Sequence, residues 1–240
     1  MVDNKFLHVY NQSHVRNTTV FLQRRAKRKL FYSASWIIHF GGQTVMKTFT
    51  TKRLCQIAVF TAVIIVVSQL SIPLPGGVPM TLQTFIIPLA GLILGAVDGT
   101  ISTVIYLLLG AVGLPVFAGF KGGIGSLLGM TGGFLISFPI MPLLAGIGDI
   151  LGRKLEKKGA SRAVYYTALV IFLTLGALLN YLVGTIWFAQ MTGSTLAYAF
   201  TACVLPFIPT AIIKIVLDAV IGPVLKKAMI RARIITPAAA

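Results

Sequence analysis

From residue 54 onward, prolines, glycines and charges cut the sequence into apolar segments of about 16 to 25 residues, where a helix needs roughly 20 to cross a bilayer. In lipid every backbone polar group must find its partner inside the protein, so repeated segments of this length restrict the chain to a bundle of membrane-spanning helices. An all-α membrane fold is therefore expected. Six spans are placed at about 54–72, 81–97, 100–117, 134–151, 164–188 and 210–225. Pro206 and Pro209 separate the last span from residues 196–208, which are expected to form a surface or re-entrant piece. Composition agrees, with 56% hydrophobic and 11% charged residues and a mean hydropathy of +0.89.

The net charge of +16 does not indicate nucleic-acid binding, because of where the charge lies. Ten of the 21 basic residues stand at or before Arg53, and the others cluster at 153–162 and 226–233, with Lys121 and Lys214 as the two exceptions. Flanking clusters of this kind orient spans, with the basic loops on the cytoplasmic side. Both termini, the 153–162 loop and a short turn at Asp98-Gly99 are thus expected in the cytoplasm. The opposite face then carries the irregular connections 73–80, 119–132 and 190–208, and a cavity open to the outside follows.

Residues 1–45 hold all three histidines and a basic run but no long apolar segment, and are expected to be an appended or disordered extension. Met46, followed by Lys47, Lys52, Arg53 and then a span, resembles the start of a small inner-membrane protein. The membrane domain is expected at 46–233, with a short tail at 234–240. Cys55 and Cys203 lie in separate apolar stretches without a CxxC spacing, so they are expected to be structural thiols.

Between Gly110 and Gly133 the chain is glycine-rich and loop-like yet carries one charge, Lys121, between strongly apolar segments. Irregular backbone at membrane depth is tolerated only where protein buries it or where it lines a cavity, which makes this stretch the first candidate for the working site. Glycine and alanine pairs four residues apart, Gly91/Gly95, Gly129/Gly133, Gly148/Gly152 and Ala58/Ala62, allow close helix approach. For Ala58 and Ala62 the spacing leaves internal packing and a docking face for another subunit equally open. Among polar groups inside spans, Lys214 and Asp218, four residues apart, share one helix face and are spaced to pair, either as a structural pair that neutralises itself or as working groups. Asn180 is the other deep polar residue. Asp149 and Arg153 form a similar, structural pair at the cytoplasmic edge.

An enzyme needs a nucleophile with a base, or metal ligands, and after Met46 there is no histidine and the acids are Asp98, Asp149, Glu156 and Asp218. No catalytic constellation or metal site is expected. The run GFKGGIGS at 119–126 lacks the Lys-Ser/Thr step of an ATP-binding P-loop, so active transport would need a partner or an ion gradient.

The segments VPMTLQTF (78–85), LLLGAVGLPVFAG (107–119), GGIGSLLGMTGGF (122–134), YLVGTIWF (181–188) and PFIPTAIIK (206–214) resemble, in order, the BioY family, the biotin-specific substrate-binding (S) components of energy-coupling factor (ECF) transporters. The resemblance implies a six-helix bundle whose extracellular loops cap a biotin cavity, in a bacterial cell membrane. It also implies partnership with a transmembrane coupling (T) subunit and two ATPase subunits, and no cofactor. Donors to biotin oxygens would come from Lys214 and from backbone N–H groups of the glycine loop, at Gly119, Gly122 and Gly123. Asn180 or a carboxylate would accept from the ureido nitrogens, and Phe117, Tyr181 and Trp187 would enclose the ring. Where the family often reads PGDxxK, this chain has Ala211 at the acid's position, so either Asp218, one turn deeper, takes over the acid's role or the backbone satisfies the ureido donors. Ala58 and Ala62 match the AxxxA face by which such S components dock on the coupling subunit. A carrier working without ATPases and an intramembrane enzyme are the alternatives.

Overall fold

A computed structural model describes residues 38–40, 43–45, 50–73 and 77–235. The chain divides into two units, Met1–Leu54 and Cys55–Ala240. In the first, β1 (Ile38–Phe40) pairs antiparallel with β2 (Gln43–Val45), Ile38 opposite Val45. The expectations for the rest of residues 1–45, for Met46 and for 236–240 lie outside the described residues.

The second unit is helical. Helix α1 (Thr51–Ser68) leads through a short antiparallel pair, β3 (Ser71–Ile72) and β4 (Met80–Thr81), into α2 (Gln83–Leu94) and α3 (Ala96–Ala111). An irregular stretch carries the small helices α4 (Ile124–Leu128) and α5 (Gly132–Ser137) into α6 (Ile140–Lys157) and the long α7 (Arg162–Thr192). Helix α8 (Leu196–Cys203) and a 3-10 turn (Leu205–Phe207) precede α9 (Ile208–Arg231). Among the described residues, four stretches are long and apolar enough to cross a membrane: Thr51–Ser68, Gly132–Lys157, Arg162–Thr192 and Leu196–Arg231. The helices α2 and α3 are apolar but shorter. At 12 and 16 residues they are about 18 and 24 Å long, under the roughly 30 Å of a hydrocarbon core.

Several boundaries move from their expected places. The turn expected at Asp98-Gly99 lies at Gly95, whose φ of +94° suits a residue without Cβ, and Asp98 sits in the first turn of α3, where a negative charge favours the helix N-terminus. The third span stops at Ala111, leaving Phe117 in a loop, and the first stops at Ser68, with Ser71 and Ile72 paired in β3. The break between residues 203 and 208 falls where the two prolines placed it. Pro206 sits in the 3-10 turn and Pro209 in the first turn of α9, where its missing N–H has no intrahelical acceptor to lose.

Glycines bring the helices together. A Cβ on Gly91 would stand 2.1 Å from the carbonyl oxygen of Pro142, so α2 lies directly on α6. Gly146 meets the backbone of Ala96, and Gly148 and Gly152 receive Phe172 and Tyr165 of α7. Away from these seams, α7 exposes Ile171, Leu178 and Leu182, and α9 exposes Ile212, Val216, Val220 and Val224. Continuous apolar faces of this extent are stable against lipid, and the chain is a membrane protein.

Helix directions give the bundle two ends. Residues 69–73 and 77–82 and the connections 112–131 and 193–207 gather at one, and the Gly95 turn, the 158–161 turn and the end of α9 gather at the other. At the second end a charge cluster joins three helices. Buried Asp149 accepts from Arg153 Nε at 2.9 and 3.0 Å, from Lys226 Nζ at 2.7 Å and from the Tyr165 hydroxyl at 2.8 Å. The Asp149–Arg153 pair was expected; Lys226, 77 residues away in sequence, was not.

Candidate functional site

A cavity of about 490 Å³ opens at the loop end, within the roughly 300–1,000 Å³ typical of small-molecule sites. Its wall comes from the approach to α2 (Val78, Thr81, Gln83, Thr84), the irregular loop (Phe117, Lys121, Gly122), α5 and its exit (Phe134, Phe138), the middle of α7 (Asn180, Tyr181) and the start of α9 (Lys214). The two basic residues outside the flanking charge clusters, Lys121 and Lys214, are both in it.

Several polar groups in the wall are oriented from behind. Lys214 Nζ donates to the Thr81 carbonyl at 2.7 Å and to Thr84 Oγ1 at 2.9 Å, which occupies two of its three protons. The pairing with Asp218 that the spacing allowed is not formed. Asp218 is buried one turn below, outside the cavity wall, and its Oδ1 has no hydrogen-bond partner among the described residues. It borders a separate void of about 10 Å³ shared with Thr84, Asn180, Tyr181, Ala211 and Lys214. That is close to the smallest space that holds one water.

Asn180 Nδ2 donates to the Phe134 carbonyl at 2.9 Å and to Ser137 Oγ at 2.8 Å. A carbonyl can only accept, so the amide nitrogen must point that way. The side-chain oxygen is left as an acceptor with no donor among the described residues. Gln83, which sequence reasoning passed over, donates through Nε2 to the Tyr106 hydroxyl at 2.6 Å. The buried Tyr106 ring meets Phe117 edge-on, with centroids 5.5 Å apart. Gly110 makes room for Phe117, since a Cβ there would lie 2.0 Å from its ring. Phe117, Phe134, Phe138, Tyr181 and Phe207 supply the apolar surface.

The glycine loop supplies much of the wall, with Gly125, Ser126 and Gly129 beside Phe117, Lys121 and Gly122, but not every glycine in it takes part. Gly122 lines the cavity and Gly119 and Gly123 do not. The Gly123 N–H is committed to the Gly110 carbonyl at 2.7 Å, and Gly119, with φ of +70°, serves the turn. Trp187 also stands outside the wall. Its Nε1 donates to the Gly129 carbonyl at 2.9 Å and its side chain packs on Gly133, so it fixes the loop that borders the cavity. Of the expected residues, Lys214, Asn180, Phe117, Gly122 and Tyr181 are therefore brought together. Ala58 and Ala62 lie elsewhere, on a lipid-accessible face of α1 with Val59, Val63 and Val66.

No group of three or more His, Cys, Asp or Glu side chains among the described residues is placed to hold a metal ion. The cavity offers one oriented ammonium, a second at its mouth, one amide oxygen and aromatic walls. It suits an amphipathic ligand with acceptor oxygens, a hydrogen-bond donor and an apolar body.

Comparison with known proteins gives a consistent result. A sequence model of the BioY family matches residues 43–231. The probable biotin transporter BioY of Pyrococcus horikoshii is 44% identical over 163 residues, covering 68% of this chain and 89% of that protein. The biotin transporter BioY of Thermotoga maritima is 39% identical over 177 residues, covering 73% and 96%. A crystal structure of the S-component for biotin from an ECF-type ABC transporter superposes with a TM-score of 0.65 at 35% identity, covering 73% of this chain and 91% of that one. With most of its length matched and the bundle shared, this chain belongs to the BioY family.

Proposed function

We propose that this protein is the biotin-binding S component of an ECF-type transporter and takes part in biotin uptake without catalysing a reaction. The observation that carries the reading is the 490 Å³ cavity of a BioY-family chain, in which a cation, an oriented amide oxygen and aromatic walls converge. Biotin presents an anionic carboxylate, a ureido group with two N–H donors and one carbonyl acceptor, and an apolar thioether ring with an aliphatic tail. Lys214 or Lys121 answers its oxygens, the Asn180 oxygen accepts a ureido N–H, and Phe117 and Tyr181 lie along the ring. With Ala211 in the place of the family's acid, Asp218 acts from below, through water in the small void it shares with Lys214 and Asn180.

In this reading α2 and α3 complete a six-helix bundle with the help of their flanking connections. The 112–131 and 193–207 segments cap the cavity on the outer side. Both termini and the 158–161 turn then face the cytoplasm, at the basic end, across a bacterial cell membrane. Residues 1–45 are an extension to the 46–233 membrane domain. Energy comes from a T subunit and two ATPase subunits, and the Ala58/Ala62 face of α1 is the docking surface, since both alanines are exposed.

The test is binding of labelled biotin to the purified, detergent-solubilised protein, with dethiobiotin and lipoate as competitors. Tight, selective binding without nucleotide is expected. Well-folded protein that fails to bind biotin would overturn the reading and make Ala211 a change of substrate.

A further inference from the structure

The loop that carries Phe117 into the cavity is not held by its own sequence neighbours alone. Phe117 N–H donates to the Lys121 carbonyl at 2.9 Å and closes a tight hairpin, whose tip residue Phe120 is 72% exposed and adopts φ of +57°. A bulky side chain enters this left-handed region only where its surroundings hold it there.

What holds it is the end of α1. Gln69 Oε1 accepts the Phe120 N–H at 2.9 Å, while Gln69 Nε2 donates to the Val116 carbonyl at 3.0 Å and to the Ile65 carbonyl at 3.2 Å. One amide thus brackets the hairpin on both flanks and ties it back to its own helix. Ser68 Oγ adds a bond to the same Val116 carbonyl at 2.7 Å. Elsewhere α1 is a peripheral helix with a largely exposed face, joined to α3 through Thr61 Oγ1 and the Ser102 carbonyl at 3.2 Å.

We propose that Gln69 is a positioning residue that latches the 116–121 hairpin over the cavity, so that displacement of α1 loosens the Phe117 wall and speeds ligand exchange. The inference rests on the proposed function for the identity of the ligand. It adds a physical link between the Ala58/Ala62 face and the cavity, because both are carried by α1, the docking face near its middle and the latch at its end.

The test compares the parent with Gln69→Ala and Gln69→Glu. Protein loaded with labelled biotin is freed of excess and chased with unlabelled biotin, so that only folded, liganded molecules are read. Gln69→Ala should release biotin about tenfold faster, the equivalent of about 1.4 kcal/mol. Its association rate constant should rise as well, which a loss of folded protein would not produce. Gln69→Glu keeps the acceptor for Phe120 and loses the donor to Val116, so its release should fall between the two. Release from Gln69→Ala within twofold of the parent, or Gln69→Glu as fast as Gln69→Ala, would overturn the latch. Hydrogen exchange at residues 116–121 of the ligand-free protein reads the same bond without biotin. Faster exchange there in Gln69→Ala, unchanged in α6 and α7, supports the latch, and unchanged exchange overturns it even if the parent proves not to bind biotin.

Discussion

Lys214→Met tests the centre of the proposed site. Methionine keeps an unbranched apolar stem of similar length and removes the ammonium. Two of the three Lys214 protons are already engaged, with the Thr81 carbonyl and Thr84 Oγ1 at 2.7 and 2.9 Å, so one proton is left for a ligand oxygen. A single hydrogen bond from a charged donor is worth about 1.5–3 kcal/mol. At about 1.4 kcal/mol per decade, that is roughly a 10- to 150-fold loss of affinity. The acceptors freed at Thr81 and Thr84 border the cavity, where water can reach them, so unfolding should change little. Equilibrium binding of labelled biotin measures the loss, and repeating it with biotin amide identifies the oxygen concerned. If Lys214 holds the carboxylate, the amide binds parent and variant nearly alike; if it holds the ureido oxygen, both ligands weaken together. Biotin affinity within twofold of the parent in folded Lys214→Met protein would refute the assignment of Lys214 to the site.

Three further outcomes are expected. Ala58→Trp adds bulk to an exposed face of α1, so biotin binding by the purified protein should persist while uptake by cells is abolished; loss of both would return Ala58 to internal packing. Asp149→Leu leaves buried Lys226 without a counter-charge and should lower stability by about 3–5 kcal/mol, with Lys226→Met less harmful because Arg153 still pairs with Asp149. Unfolding in detergent measures both, and a loss below about 1 kcal/mol for Asp149→Leu would contradict the clasp. Gly91→Ala would place a Cβ 2.1 Å from the Pro142 carbonyl oxygen, forcing α2 off α6 at about 1–3 kcal/mol, visible as a lower unfolding temperature with no change in ligand selectivity.

Much of the chain could be read locally. Segment length and apolarity announced a membrane bundle because the demand for internal backbone hydrogen bonding acts on each segment separately. Proline at 206 and 209 marked the break before α9 for the same reason, since a missing N–H acts within one turn. Lys121 and Lys214 were visible as charges without a flanking cluster, and both line the cavity. Features that depend on a partner distant in sequence were hidden. Nothing near Gln83 announces Tyr106, and nothing near Gln69 announces Phe120 or Val116. Asn180 was recognised as a deep polar group, but which of its atoms faces the cavity depends on the Phe134 carbonyl, 46 residues away. Glycine content singled out the 110–133 loop, which supplies a large share of the cavity wall, but not which of its N–H groups remain available, because the Gly123 N–H is spent on the Gly110 carbonyl.

By itself, then, the sequence determined the class of fold, the basic and irregular ends of the bundle and the family motifs, all of which follow from each residue's own preference for lipid, water or helix. The tertiary structure decided which polar atoms remain available to a ligand, that Asp218 lies beneath the cavity rather than in its wall, and that the end of α1 brackets the loop bearing Phe117. Those outcomes depend on which donors and acceptors meet once the helices pack, and no local preference encodes that meeting.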